Sequence, residues 1–217
     1  MKKLVLFDFD GVIADSFPLC VTVMKEICTV ITVEEQRASF DGNVHDSFSK
    51  YMQQVHGPEC HHDKDWFDAY LPHFDTVQPF PGIIDVLHQL SHTYLLIVVS
   101  STVTSPIQGF LEKHHVGRYF SDVLGADVHE YKDEKIKMIF ERYNAAPEDC
   151  VFITDTLGDM KEARKVGDGS IATSYGFQER PSLLKGEPFT IVDSPLEIPG
   201  AIENYFTSKN TPSAIMP

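Results

Sequence analysis

The residues with chemistry to offer fall at the ends of apolar runs. Asp8 and Asp10 stand two residues apart directly after KKLVLF, with Gly11 beside them. Asp155 and Asp159 stand four apart after DCVFIT, and Ser100 and Ser101 close YLLIVVSS. Lys132 opens the helical pattern that leads into DCVFIT. Carboxylates this close repel one another and resist burial, so a fold keeps such a cluster only where something offsets the charge. Hard oxygen ligands select Mg²⁺, which makes Asp8, Asp10, Asp155 and Asp159 candidate metal ligands. Beside a metal and an ammonium, one carboxylate can attack phosphorus. A second, two residues on, can protonate the leaving oxygen and then activate water. Lys132 and the Ser100 hydroxyl, with Ser101 as its neighbour, would hold the phosphoryl oxygens. Gly11 permits a tight turn and a close backbone approach.

These residues need elements that bring them to one place. KKLVLF, TYLLIVVS (93–100) and DCVFIT (149–154) read as buried strands, with SIATSY and FTIV as weaker ones. Between them lie helical patterns. Ile83, Val86, Leu87 and Leu90 form one, and Ile136, Ile139, Phe140 and Tyr143 another. Pro106 marks a helix start with Thr104 or Ser105 as cap, and Met160 and Ala163 lie on a helix ended by Gly167. Alternating strands and helices predict an α/β fold, a Rossmann-like parallel sheet with ligands beyond the carboxyl ends of its strands.

Residues 16–78 interrupt the alternation with helical stripes only. Leu19, Val23, Met24, Ile27 and Val30 form the first. Val44, Phe48, Tyr51, Met52 and Val55 form the second, and Trp66, Phe67, Tyr70, Leu71 and Phe74 the third. We expect a core of residues 1–15 and 79–207, a small helical cap inserted at 16–78, and a flexible tail at 208–217. Asp15 and Ser16 are expected to be the hinge and helix cap of the insert. His45, His56, His61, His62, His73 and Cys60 cluster in sequence but match no closed zinc pattern and are expected to be solvent-exposed.

A net charge of -14 argues against nucleic acid or an anionic membrane as the main partner, since phosphate backbones need clustered Lys and Arg. The apolar run after Lys2-Lys3 is too short for a signal peptide, and nothing approaches a membrane span. Cys20, Cys28, Cys60 and Cys150 are scattered and read as free thiols of a cytoplasmic protein.

With these motifs in order, the chain resembles the haloacid dehalogenase superfamily of phosphohydrolases. DFDGV supplies the first motif, Ser100 the second, Lys132 the third and TDTLGD the fourth. The insert looks like the helical cap of the phosphoglycolate phosphatase and β-phosphoglucomutase branch. The resemblance implies that Asp8 is a nucleophile forming an aspartyl-phosphate, and that Asp10 is the general acid/base and lends a backbone carbonyl to Mg²⁺. It implies Asp155 as a direct or water-bridged metal ligand, Asp159 as a supporting one, and Ser100 and Lys132 as phosphate holders. Two positions depart from the family pattern. Thr154 stands where glycine is common, and Asp133 follows Lys132 where proline is common, which makes Lys135 a rival lysine. Segment 176–187 resembles the loop after the fifth strand and carries no expected catalysis. The implied substrate is a small phosphorylated metabolite, and the implied reaction is hydrolysis. The same residues would serve a phosphosugar mutase, and a catalytically silent binding protein is the alternative from another class.

Overall fold

The computed structural model describes residues 2–45, 56, 60 and 66–210. Its centre is a parallel sheet built from β1 (Leu4–Phe7), β4 (Leu95–Val99), β5 (Phe120–Leu124), β6 (Cys150–Thr154), β7 (Gly169–Thr173) and β8 (Thr190–Val192), in the spatial order β5-β4-β1-β6-β7-β8. Alternate residues of β1 serve opposite faces, as the two-residue period of a strand requires. Val5 and Phe7 pack with Ile83, Val86 and Leu87 of α4 (Ile83–Ser91) and with Ile107 and Phe110 of α5 (Thr104–Lys113). Leu4 and Leu6 pack with Ile136 and Ile139 of α6 (Lys132–Tyr143). Burial on both faces explains why these strands are continuous apolar runs.

Strand β5 has no counterpart among the strands the sequence pattern predicts. Ser121 and Asp122 break its apolar run, as an edge strand with one solvated side tolerates. The start of α5 also differs from expectation. Val103 occupies the cap position, and Asp127 supplies the capping carboxylate, accepting from the Thr104 N–H at 2.6 Å and its hydroxyl at 2.7 Å. After the short helix α8 (Arg180–Leu184), α9 (Ile198–Asn210) continues through residues 208–210, where the sequence predicts a tail. Residues 211–217 lie outside the described part.

Residues 16–77 leave and rejoin the sheet through a two-residue antiparallel ribbon, β2 (Ala14–Asp15) against β3 (Gln78–Pro79). Between its strands lie α1 (Phe17–Ile27), α2 (Val33–Ala38), a 3₁₀ turn Ser39–Asp41, α3 (Trp66–Tyr70) and a 3₁₀ stretch Leu71–Thr76. Helix α1 buries Cys20, Val23, Met24 and Ile27, whereas Val30 lies beyond its end and is exposed. Phe48, Tyr51, Met52 and Val55 of the second expected stripe lie outside the described residues.

Three expectations for this segment are corrected. Cys28 and Cys60 are not free thiols. They form a disulfide between chain segments that meet at an antiparallel bridge, a pairing hidden by 32 residues of sequence separation. Of the four cysteines, Cys20 and Cys150 are free and buried. His56 and His45 are partly buried rather than exposed, and His56 Nε2 lies 3.2 Å from Glu35 Oε2. Ser16 stands at the α1 cap position without capping it, because its hydroxyl is committed elsewhere. No helix among the described residues is long and apolar enough to cross a membrane.

Far from the carboxyl ends of the strands, Asp168 lies buried before β7. Burial pushes its carboxyl up to about 8, and the Cys150 thiol and the Gly169 N–H offset only part of that cost. A raised native pKa means the native state holds a proton that the unfolded chain has already lost. Stability therefore falls as pH rises from the usual carboxylate range to about 8, at up to about 1.4 kcal/mol per pH unit. Asp168→Asn is expected to remove that decline, gaining on wild type steadily between pH 5 and 8 in urea titrations. A constant difference across this range would refute it.

Candidate functional site

Strand β1 lies between β4 and β6, where the chain order reverses. In open parallel sheets this switch point leaves a crevice beyond the carboxyl ends of the strands. Asp8 follows β1, Ser100 follows β4 and Asp155 follows β6, so the topology delivers three of the predicted residues to one edge. Lys132, the first residue of α6, supplies the fourth. Its ammonium lies 2.8 Å from Asp8 Oδ2 and 2.7 Å from Asp159 Oδ2, and all three residues are buried. The rival Lys135 is one turn further on and serves the backbone. Its Nζ donates to the Ser100 carbonyl at 2.6 Å and the Gly125 carbonyl at 3.4 Å.

Charge distribution follows from burial. Desolvation raises the Asp8 carboxyl, with Lys132 opposing. Desolvation also works against ionisation of Asp159. The Lys132 ammonium and the hydrogen bonds of Asp159 outweigh it and hold that carboxyl below the usual range. Burial depresses Lys132, but its two carboxylate partners more than restore it, so it stays charged. Asp155 is fully buried, and desolvation pushes its carboxyl up to about 7 despite the Phe177 N–H. Asp155 Oδ2 accepts that N–H at 2.6 Å, while Oδ1 is buried without a hydrogen-bond partner.

An orphaned carboxylate oxygen in an all-oxygen donor set is what a hard divalent cation requires. The residues present therefore fit Mg²⁺. The four aspartates do not share the task equally, and among the described residues no three acidic, histidine or cysteine side chains form a ready metal cluster. Asp159 is occupied by Lys132 and by the Thr154 hydroxyl at 2.7 Å. The Asp10 carboxylate is held by three hydroxyls. Ser16 (2.7 Å) and Tyr70 (3.2 Å) donate to Oδ1, and Thr102 (2.8 Å) donates to Oδ2. Gly11 has φ +77°, and a Cβ there would fall 1.9 Å from Asp155 Oδ2, so the first motif must carry glycine to let the fourth approach.

Ser100 is buried, its hydroxyl accepting the Thr102 N–H at 3.0 Å, and Ser101 is half-buried beside it. The departure at Thr154 acquires a purpose, since its hydroxyl orients Asp159. Other supporting residues left no local signal. Glu162 of α7 (Leu157–Lys165) accepts the backbone N–H groups of Lys132 and Asp133, which fixes the start of α6, and it accepts Asn43 Nδ2 of the insert at 2.5 Å. Segment 176–187, expected to be a loop, holds the helix Arg180–Leu184 and proves structural to the site. The Phe177 carbonyl accepts Arg37, its ring meets Phe17 and Phe40, and Gln178 binds the Leu157 N–H and Asp41. A Cβ on Gly158 would fall 2.2 Å from the Gly42 carbonyl, so the insert rests directly on the start of α7.

Comparison with known proteins bears on this arrangement. Phosphoglycolate phosphatase from Synechococcus elongatus is 24% identical over 91% of this chain and 96% of its own length. Phosphoglycolate phosphatase from Vibrio parahaemolyticus is 23% identical over 90% and 94%. Among solved structures, a haloacid dehalogenase-like family hydrolase from Streptococcus pneumoniae superposes with a TM-score of 0.79 at 24% identity, covering 93% of this chain and 98% of that one. The family match runs over residues 5–173, from inside β1 to the end of β7, and so takes in all four motifs and the insert. The chain belongs to the haloacid dehalogenase-like hydrolase family.

Proposed function

We propose that this phosphohydrolase cleaves small phosphomonoesters through a phosphoryl-Asp8 intermediate, with Mg²⁺ as cofactor and residues 16–78 as a cap over the crevice. The observation that carries the reading is the Lys132 ammonium seated between Asp8 and Asp159 at the switch point. An Asp8 carboxylate oxygen attacks phosphorus while Asp10 gives a proton to the leaving oxygen. Water then attacks the phosphoryl group and Asp10 takes its proton, returning Asp8 and releasing phosphate. Lys132 and the end of β4 hold the phosphoryl oxygens, Asp159 holds Lys132, and the Thr154 hydroxyl holds Asp159. Asp8, Asp155 and the Asp10 backbone carbonyl would hold Mg²⁺, which would neutralise charge on the phosphoryl oxygens. The insert's contacts with α7 and Phe177 support a role in excluding bulk water. The names of the relatives put phosphoglycolate first among substrates to test.

Phosphate release is expected from a panel containing phosphoglycolate, sugar phosphates, nucleotides and 4-nitrophenyl phosphate. It should fall by at least about 10²-fold in excess EDTA and return with Mg²⁺. Release unaffected by EDTA would remove the metal from the mechanism. A rearranged sugar phosphate in place of free phosphate would favour the mutase.

A further inference from the structure

The Asp10 carboxylate has a distribution of partners that a general acid can exploit. An ionised carboxylate offers about four acceptor sites, two on each oxygen. Ser16 and Tyr70 fill both on Oδ1, and Thr102 fills one on Oδ2. One acceptor site remains, and it is on Oδ2. Tyr70 is the contributor from a helix of the insert, 60 residues away on α3, buried against Trp66 at a ring separation of 5.3 Å and Phe74 at 5.6 Å.

We propose that Tyr70 is a positioning residue which, together with Ser16, saturates Asp10 Oδ1 and thereby confines the proton given to the leaving oxygen to Oδ2. The inference rests on the acid role proposed for Asp10. In the step concerned, the Oδ2–H bond breaks as the phosphorus–oxygen ester bond breaks, and the proton goes to the departing alkoxide. Without the Tyr70 hydroxyl a site on Oδ1 opens, the proton divides between two oxygens, and the productive fraction falls. Because Tyr70 belongs to the insert, this confinement exists only while α3 is docked on the sheet.

The test is leaving-group dependence. Because kcat/KM reports events through loss of the leaving group, it would be measured for 4-nitrophenyl phosphate and for the best alkyl phosphate of the panel, in wild type, Asp10→Asn, Tyr70→Phe and Ser16→Ala. An aryl leaving group needs little protonation and an alkoxide needs much. Tyr70→Phe, which keeps the ring, is expected to lose roughly tenfold more on the alkyl than on the aryl ester. Ser16→Ala empties the same oxygen, should show the same asymmetry, and carries the test should Tyr70→Phe not fold. Asymmetry in Asp10→Asn with equal losses on both esters in Tyr70→Phe and Ser16→Ala would overturn the inference and leave the phosphatase reading intact. No asymmetry in Asp10→Asn would overturn the acid role and the inference with it.

Discussion

Replacing Asp8 by asparagine is expected to reduce phosphate release by about 10⁴-fold or more, on every ester of the panel alike. An amide oxygen is a poor nucleophile and cannot carry a phosphoryl group through to hydrolysis. The uniformity matters as much as the size. A residue that recognised one part of one substrate would affect some esters more than others, whereas loss of the attacking atom affects all. The variant should fold, since Lys132 keeps Asp159 as its partner and the amide removes a charge that burial penalises. An unfolding midpoint in urea close to wild type would establish this, and substantial turnover by the folded variant would sink the assignment of Asp8.

Lys132→Met should combine a catalytic and a structural loss. Two buried carboxylates would be left facing each other across the position the ammonium held. Removing one partner of such a buried network costs about 3–5 kcal/mol, and losing a charge on the phosphoryl oxygens costs about 10²–10³ in rate. Lys135→Met is the matched control. Lys135 is equally buried and three residues away, but it binds carbonyls and burial pushes its amine down to about 8. Its loss leaves neutral acceptors unpaired, at about 1–3 kcal/mol. Urea unfolding in EDTA should separate the two variants, and Mg²⁺ should return part of the stability lost in Lys132→Met. Equal destabilisation by both substitutions would contradict the charge argument.

The parts of the site that sequence made legible are those set by strand ends. A buried parallel strand is an unbroken apolar run, and the polar residue that ends it must lie at the sheet edge. Asp8, Ser100 and Asp155 could therefore be placed by reading runs alone. Strand β5 was illegible because an edge strand need not be apolar throughout. The residues that orient the site were illegible for another reason. Tyr70 reaches Asp10, Glu162 reaches the start of α6, and Arg37 reaches Phe177 only after the chain has folded. Their neighbours in sequence carry no trace of those contacts. Tyr70 looked like one more aromatic on a helical stripe, and it is one, with its ring packed in the stripe and its hydroxyl directed out of it. The Cys28–Cys60 pairing was hidden in the same way.

The position of β1 has a consequence in time. Leu4 pairs with Leu95 on one side and Cys150 on the other, which are 95 − 4 = 91 and 150 − 4 = 146 residues downstream. A chain emerging from the ribosome at about 5–20 residues per second holds its first strand without either neighbour for several seconds. During that interval KKLVLF is an unpaired apolar segment and Asp8 stands in water without Lys132. Pairings this distant in sequence are slow to close, and they fix the order of events. The attacking carboxylate is synthesised long before the residues that enclose it, so its desolvation is deferred until Lys132, Asp155 and Asp159 exist to compensate it.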